Sequence, residues 1–249
     1  MPRLARFLLA LVAGGIAVGL FGALLVPAVA NTIGASEHAV DLASLRPLAE
    51  PSTLYANDGT TVIARLGVED REPVTYDEIP PIVIDAVVAS EDPTFWTNNG
   101  IDLRAGIRAL SENVEAGGIT QGGSTITQQL VKLRLLSTKR DFSRKSKEIF
   151  LAMEMTEEYS KEEILEQYFN TVYLGQGSYG IRAAARRYFG VELRDLTLGQ
   201  ASMLAGLVQN PEGANPYEYP DRAQSRRRYV LSQMVKEGYI TQAEADTAA

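Results

Sequence analysis

From Phe7 to Ala30 the chain carries no charged residue and is almost wholly apolar. Wound as a helix at 1.5 Å per residue, that run spans about 36 Å, enough to cross a hydrocarbon layer of about 30 Å. Arg3 and Arg6 precede it, and no Lys or Arg follows until Arg46. The excess of positive charge on the cytoplasmic side then puts the N-terminus inside and everything after about Asn31 outside. The alternative is a cleaved signal peptide, since Val26-Pro27-Ala28-Val29-Ala30 ends in small residues. A signal-peptide core is about 7–15 residues, shorter than this run. Both readings place the rest of the chain beyond the plasma membrane.

Composition narrows the chemistry. The chain has no cysteine, which excludes disulfides, thiolate catalysis and zinc–sulfur sites. His38 is its one histidine, so a multi-histidine metal site is excluded as well. The expected acid or base is therefore a carboxylate, helped by Lys or Arg. The net charge of -7 argues against nucleic acid as a partner.

The chain divides into a cytoplasmic tip and anchor (1–30), a connector (31–50) and one domain (51–249). Residues Ser52 to Leu66 read as two short strands around the turn Asp58-Gly59. Beyond them the pattern is helical, so the fold class is mainly α. Thr75 with Glu78 has capping-box spacing, and the apolar helix Ile82–Ser90 follows and enters Glu91-Asp92. Leu103–Glu115 is a second candidate. Gly117-Gly118 and Gly122-Gly123 bracket a loop, after which Ser124 or Thr125 caps a helix through Gln129 and Lys132. Arg144–Glu158 follows, with Ile149, Ala152 and Met153 on its apolar side. Capping pairs Ser160/Glu163, Thr197/Gln200 and Thr241/Glu244 open three further helices, and Ala223–Lys236 is helical.

Four segments in a fixed order carry a resemblance. They are Glu91-Asp92-Pro93-Thr94-Phe95-Trp96-Thr97-Asn98-Asn99-Gly100, Gly122-Gly123-Ser124-Thr125-Ile126-Thr127-Gln128-Gln129-Leu130-Val131-Lys132, Arg144-Lys145-Ser146-Lys147-Glu148, and Tyr168 to Ile181 followed by Tyr188-Phe189-Gly190. A weaker fifth runs from Leu204 through Pro211 to the helix holding Arg226, Arg227, Val230, Leu231 and Met234. Together they resemble the peptidoglycan glycosyltransferase domain of class A penicillin-binding proteins and monofunctional transglycosylases. Two positions depart from it: Asn98 stands where the family usually has His, and Gln200 where it usually has Glu.

The resemblance implies a lysozyme-like helical lobe with a smaller membrane-facing lobe. It implies that lipid-linked disaccharide is polymerised into glycan with inversion, and that polyprenyl pyrophosphate is released. The partners it implies are that substrate, the growing glycan, the plasma membrane and proteins of the wall-synthesis complex. Glu91 matches the general base, and Glu148 the second carboxylate, orienting basic residues or holding a divalent cation, Mg or Mn. Asp92, Phe95, Asn98, Gln129, Asn170 and Tyr173 would support the site. Two rival readings stand beside it: a lysozyme-like hydrolase with Glu91 as acid, and a catalytically weakened scaffold.

The residues themselves fit this chemistry. Burial at the end of an apolar helix raises a carboxylate's pKa towards the range useful to a base. From Lys132 to Lys147 seven basic residues stand against the single Asp141, within an acidic chain. Such a run is usually a solvated face; here it connects two motifs, and Lys132, Arg144 and Lys145 read as pyrophosphate ligands. Glu148 follows Arg144 by four residues, which suits an ion pair on one helix face. Ser124, Thr125, Gln128 and Gln129 are neutral hydrogen-bonders suited to sugar or diphosphate. Asn170 and Tyr173, a turn apart on the next helix, are expected to orient their motif or to touch sugar, the former being favoured. Leu133, Leu135, Leu136 and Phe142 are either core or dip into lipid.

Overall fold

The computed structural model describes residues 52–66, 70–106, 108, 123–136 and 142–249. The expected membrane helix Phe7–Ala30, the connector 31–50, the Gly117-Gly118 bend, Gly122, Lys139, Arg140 and Asp141 lie outside them. Among the described residues no helix is long and apolar enough to cross a membrane.

The fold is mainly α-helical. Strands β1 (Ser52–Tyr55) and β2 (Val62–Leu66) pair antiparallel as the expected hairpin. Asp58 shapes its turn by accepting the N–H groups of Thr60 and Thr61 at 2.9 and 2.8 Å. Two two-residue strands, β3 (Asp70–Arg71) and β4 (Ser178–Tyr179), pair in parallel across a wide gap in sequence.

Helix α1 (Pro81–Glu91) begins one residue earlier than expected, because Pro81 suits the first helical position, and it runs on to Glu91. The Thr75/Glu78 box closes a short 3-10 turn, Tyr76–Glu78, instead of opening α1. Seven residues of α1 are buried, on all its sides, which makes it a central helix. Helices α2 (Ile126–Arg134), α3 (Phe142–Glu158) and α4 (Lys161–Thr171) form one packed group, with α2 against both others. After α5 (Ile181–Phe189), helices α6 (Leu198–Leu207) and α7 (Pro220–Lys236) pack on each other and on α1, and α8 (Gln242–Ala248) lies against α7. Capping boxes start α2, α4, α6 and α8 at Thr125, Ser160, Thr197 and Thr241. Gln200 is the box partner of Thr197, a task open to Gln or Glu, so this departure from the family leaves the helix start intact.

Helix α3 is rotated from its expected face. Its buried stripe is Glu148, Leu151, Ala152 and Met155, while Ile149 and Met153 are only partly covered. Apolar residues stand on two sides of this helix, and packing on α2 selects between them. Leu135 and Leu136 pack against the core, whereas Leu133 is 45% and Phe150 48% exposed. Nothing is described of the Phe142 side chain.

Candidate active site

Glu91 is the last residue of α1, where the helix hands over to a loop. Its Oε2 accepts a hydrogen bond from Gln129 Nε2 at 3.0 Å. Its Oε1 is sealed from solvent and has no hydrogen-bond partner among the described residues. Burial pushes this carboxyl up to about 7, against the opposing pull of Gln129, the Arg226 charge, Gln209 and the Lys132 charge. A carboxyl so placed is ionised often enough to act as a base near neutrality and holds a proton well enough to take one. It lines a cavity of about 310 Å³, whose wall includes Ser124 and Thr125 on one side and Tyr229, Gln233 and Lys236 of α7 on the other.

The loop after Glu91 is tied down from within. Asp92, buried, accepts the Ile126 N–H at 3.1 Å, Asn98 Nδ2 at 3.0 and 3.1 Å, and Thr94 Oγ1 at 3.2 Å. Burial raises its pKa, and the Ile126 N–H, Asn98, Thr94 and the Lys161 charge oppose the rise. Asn98 turns its other end to the Gly100 N–H at 3.0 Å and to Lys161 Nζ at 3.2 Å. Lys161 also donates to the Asn98 carbonyl at 2.8 Å and sits 4.6 Å from the centre of the buried Phe95 ring. The loop finally docks on α2, where Thr125 Oγ1 donates to the Gly100 carbonyl at 2.6 Å. Asn98 therefore acts as a two-ended tie, a task that needs no titration. Asn98→Ala is expected to cost about 1–3 kcal/mol, the loss of partly buried bonds to charged groups. Thermal or urea unfolding reads it, and a wild-type curve would contradict this account of the loop.

The hydrogen-bonding residues of the second motif divide in two. Thr125 and Gln128 are buried and spent on the α2 cap: Thr125 Oγ1 accepts the Gln128 N–H at 3.1 Å, and Gln128 Oε1 accepts the Thr125 N–H at 2.9 Å. Together they close the helix start, and Thr125 also lines the cavity. Ser124, ahead of the cap, remains on the cavity wall. Gln129 bridges inward, donating to Glu91 and accepting from Tyr168 Oη at 3.1 Å.

Lys145 connects the basic segment to the cavity. Its Nζ donates to Ser124 Oγ at 3.2 Å and pairs with the buried Glu148. Glu148 thus forms an ion pair with Lys145, three residues back on the same helix. Lys132 is exposed on the last turn of α2, close enough for its charge to act on Glu91. Arg144 is partly buried, next to Lys145 in the first turn of α3.

Asn170 and Tyr173 lie elsewhere. Asn170 clasps the backbone of Val74 from both ends of its amide, at 2.8 and 2.7 Å, and its carbonyl accepts from Arg71. Tyr173 is beyond the end of α4, bridged to Tyr179 and bonded to Glu212, so the two do not share a helix as expected. Conversely, α7 brings residues to the site that no motif marks: Tyr229, Gln233 and Lys236 line the cavity and follow Arg226 of the fifth segment at helical spacing along one polar stripe, the available signal. Arg226 donates through Nε to the Gly206 carbonyl at 3.2 Å, and its guanidinium carbon lies 4.9 Å from the centre of the Tyr229 ring.

The family model described as Transglycosylase matches residues 58–235. Penicillin-binding protein 1A of Neisseria flavescens is 46% identical over 198 residues, covering 80% of this chain and 25% of that protein. Its namesake in Escherichia coli (strain K12) is 44% identical over 208 residues, 83% of this chain and 24% of that one. A crystal structure of Penicillin-Binding Protein 1A from Haemophilus influenzae is similar at a TM-score of 0.48 and 29% identity, over 81% of this chain and 20% of that one. The chain thus spans about a quarter of the length of the curated relatives it matches.

Proposed function

The chain belongs to the transglycosylase family, and on that footing we propose that it polymerises lipid-linked disaccharide into glycan strands on the outer face of a bacterial plasma membrane. The observation that carries this reading is Glu91: a carboxyl raised to about 7, one oxygen held by Gln129, on the wall of a cavity. In the proposed step Glu91 takes the proton of the acceptor sugar's 4-hydroxyl. That oxygen attacks the anomeric carbon of the donor from the face opposite its pyrophosphate. One C–O bond forms as the bond to the pyrophosphate breaks, and the configuration inverts.

Ser124, Lys132, Arg144 and Lys145 are the proposed ligands of the departing pyrophosphate. Cations fixed where negative charge grows are among the strongest contributions an enzyme makes. Glu148 positions Lys145 through their ion pair. Lys145→Ala is expected to weaken binding of the lipid-linked substrate about tenfold or more, the loss of one charge-assisted hydrogen bond. Lys132→Ala and Arg144→Ala should act in the same direction. Titration of the purified variants measures this, and unchanged affinity in all three would return these residues to a solvated face.

A divalent cation, Mg or Mn, is proposed with a narrow fit. Among the described residues there is no group of three or more acidic or histidine side chains that could hold one. Glu148 offers one carboxylate, already paired with Lys145. That donor set fits a cation that arrives with the pyrophosphate, since Mg²⁺ is commonly held by one or two carboxylates and substrate phosphates. Such an ion would supply charge neutralisation on the leaving group.

The uncharged run Phe7–Ala30 and the exposed Leu133 and Phe150 support single-pass anchoring and a smaller lobe that meets lipid. Proteins of the wall-synthesis machinery are the further partners this placement favours. The test is incubation of the purified chain in detergent with lipid-linked disaccharide, with and without a chelator. Glycan polymer is the expected product, at a reduced rate under chelation. Cutting of finished glycan would instead mark a hydrolase, and neither activity a scaffold.

A further inference from the structure

Tyr168, in α4, is fully enclosed, and its hydroxyl makes one bond that leads to the site. It donates to Gln129 Oε1 at 3.1 Å, while Gln129 Nε2 donates to Glu91 Oε2 at 3.0 Å. A carboxamide has one accepting and one donating end, and an ionised carboxylate only accepts. Ionised Glu91 therefore takes the nitrogen end of Gln129 and leaves the oxygen end facing Tyr168. The phenol must then be the donor. Burial, with the nearby Glu91 and Asp92, holds the Tyr168 hydroxyl well above its ordinary range, so it keeps its proton wherever the enzyme works.

We propose that Tyr168 is a positioning residue which, through Gln129, orients the Glu91 carboxylate for proton abstraction. Its O–H locks the amide with N–H towards Glu91 Oε2 and so fixes the orientation of the carboxylate. The proposal rests on Glu91 being the base. Without the phenol hydroxyl, the part-buried Gln129 Oε1 loses the donor it has here. The amide then turns over and accepts from protonated Glu91, so the resting acid gains a partner and the working base loses one. Both changes oppose catalysis. The other groups that bear on Glu91 are Lys132 on α2, Arg226 on α7, Gln209 after α6 and its neighbour Asp92, with Asp102, Arg108 and Lys236 across the cavity. None of them touches the amide oxygen of Gln129 among the described contacts, so the phenol acts on a bond they do not make.

The test is the pH dependence of kcat and KM for polymerisation by the full chain carrying Tyr168→Phe. The acid limb should move up by about one pH unit, with kcat about tenfold lower on that limb, the size of one hydrogen bond. KM and the melting temperature should change little. In a Gln129→Met background, Tyr168→Phe should add no further shift. Replacing Tyr168 by 3-fluorotyrosine, a stronger donor of nearly the same volume, should move the limb down and covers the case in which the Phe variant does not fold. A limb unmoved by both replacements, or an equal shift in the Gln129→Met background, overturns the positioning role alone. A wild-type profile with no acid limb overturns the assignment of Glu91 and this proposal with it.

Discussion

Glu91→Gln is expected to lower the polymerisation rate by about 10²–10⁴, the usual contribution of a positioned general base. The amide keeps the volume and accepts from Gln129 as the carboxylate does, so affinity for the lipid-linked substrate should hold. Stability supplies an independent sign. Folding raises this carboxyl from an ordinary value to about 7. Between the ordinary value and 7 the native state binds more protons than the unfolded chain. Stability is therefore lost as pH rises through that window, and the burden is complete above it. The Gln variant carries no such burden. Above pH 7 it should melt at or above the wild-type temperature while being nearly inactive. A variant keeping more than about half the wild-type rate would remove Glu91 from the role of base.

Gly100→Ala is expected to be the most damaging single-methyl change in the domain. Gly100 has φ +90°, in the region that favours glycine, and a Cβ there would lie 2.2 Å from the Ala152 carbonyl oxygen and 2.8 Å from Thr156 Oγ1. The carbonyl belongs to the middle of α3 and has no room to retreat. Backbone strain and overpacking each cost about 1–3 kcal/mol, so a loss of about 3–5 kcal/mol follows, a large share of a domain's stability. Gly100 also carries the carbonyl that holds Thr125 Oγ1. Moving it shifts the loop on which Asp92 and Asn98 are strung, and activity should fall with stability. Urea unfolding measures the first and polymerisation the second. A wild-type midpoint would mean that this loop does not pack on α3.

The helix starts were legible because a capping box is local: Ser160 with Glu163, Thr197 with Gln200 and Thr241 with Glu244 all close as their spacing predicts. Glu91 stood out through the family's first motif, and its place at the end of an apolar helix agrees with the burial that raises its pKa. Features fixed by packing were not. The buried face of α3 depends on α2, and Glu148 accordingly meets Lys145. The Asp70–Arg71 pairing with Ser178–Tyr179 involves two residues on each side, too few for any periodicity. Thr125 and Gln128 read as neutral hydrogen-bonders for sugar or diphosphate, while their three-residue spacing also marks the cap that they form. The polar stripe of α7 faces Glu91 only because α7 packs beside α1.

The central claim is that a carboxylate held near neutrality drives polymerisation, and the pH–rate profile of the wild-type chain on lipid-linked disaccharide tests it most directly. The rate should rise with pH along an acid limb centred at about 7, as Glu91 ionises, and that limb should vanish with the activity in Glu91→Gln. A limb at the ordinary carboxylate value, or a rate independent of pH across neutrality, would contradict it.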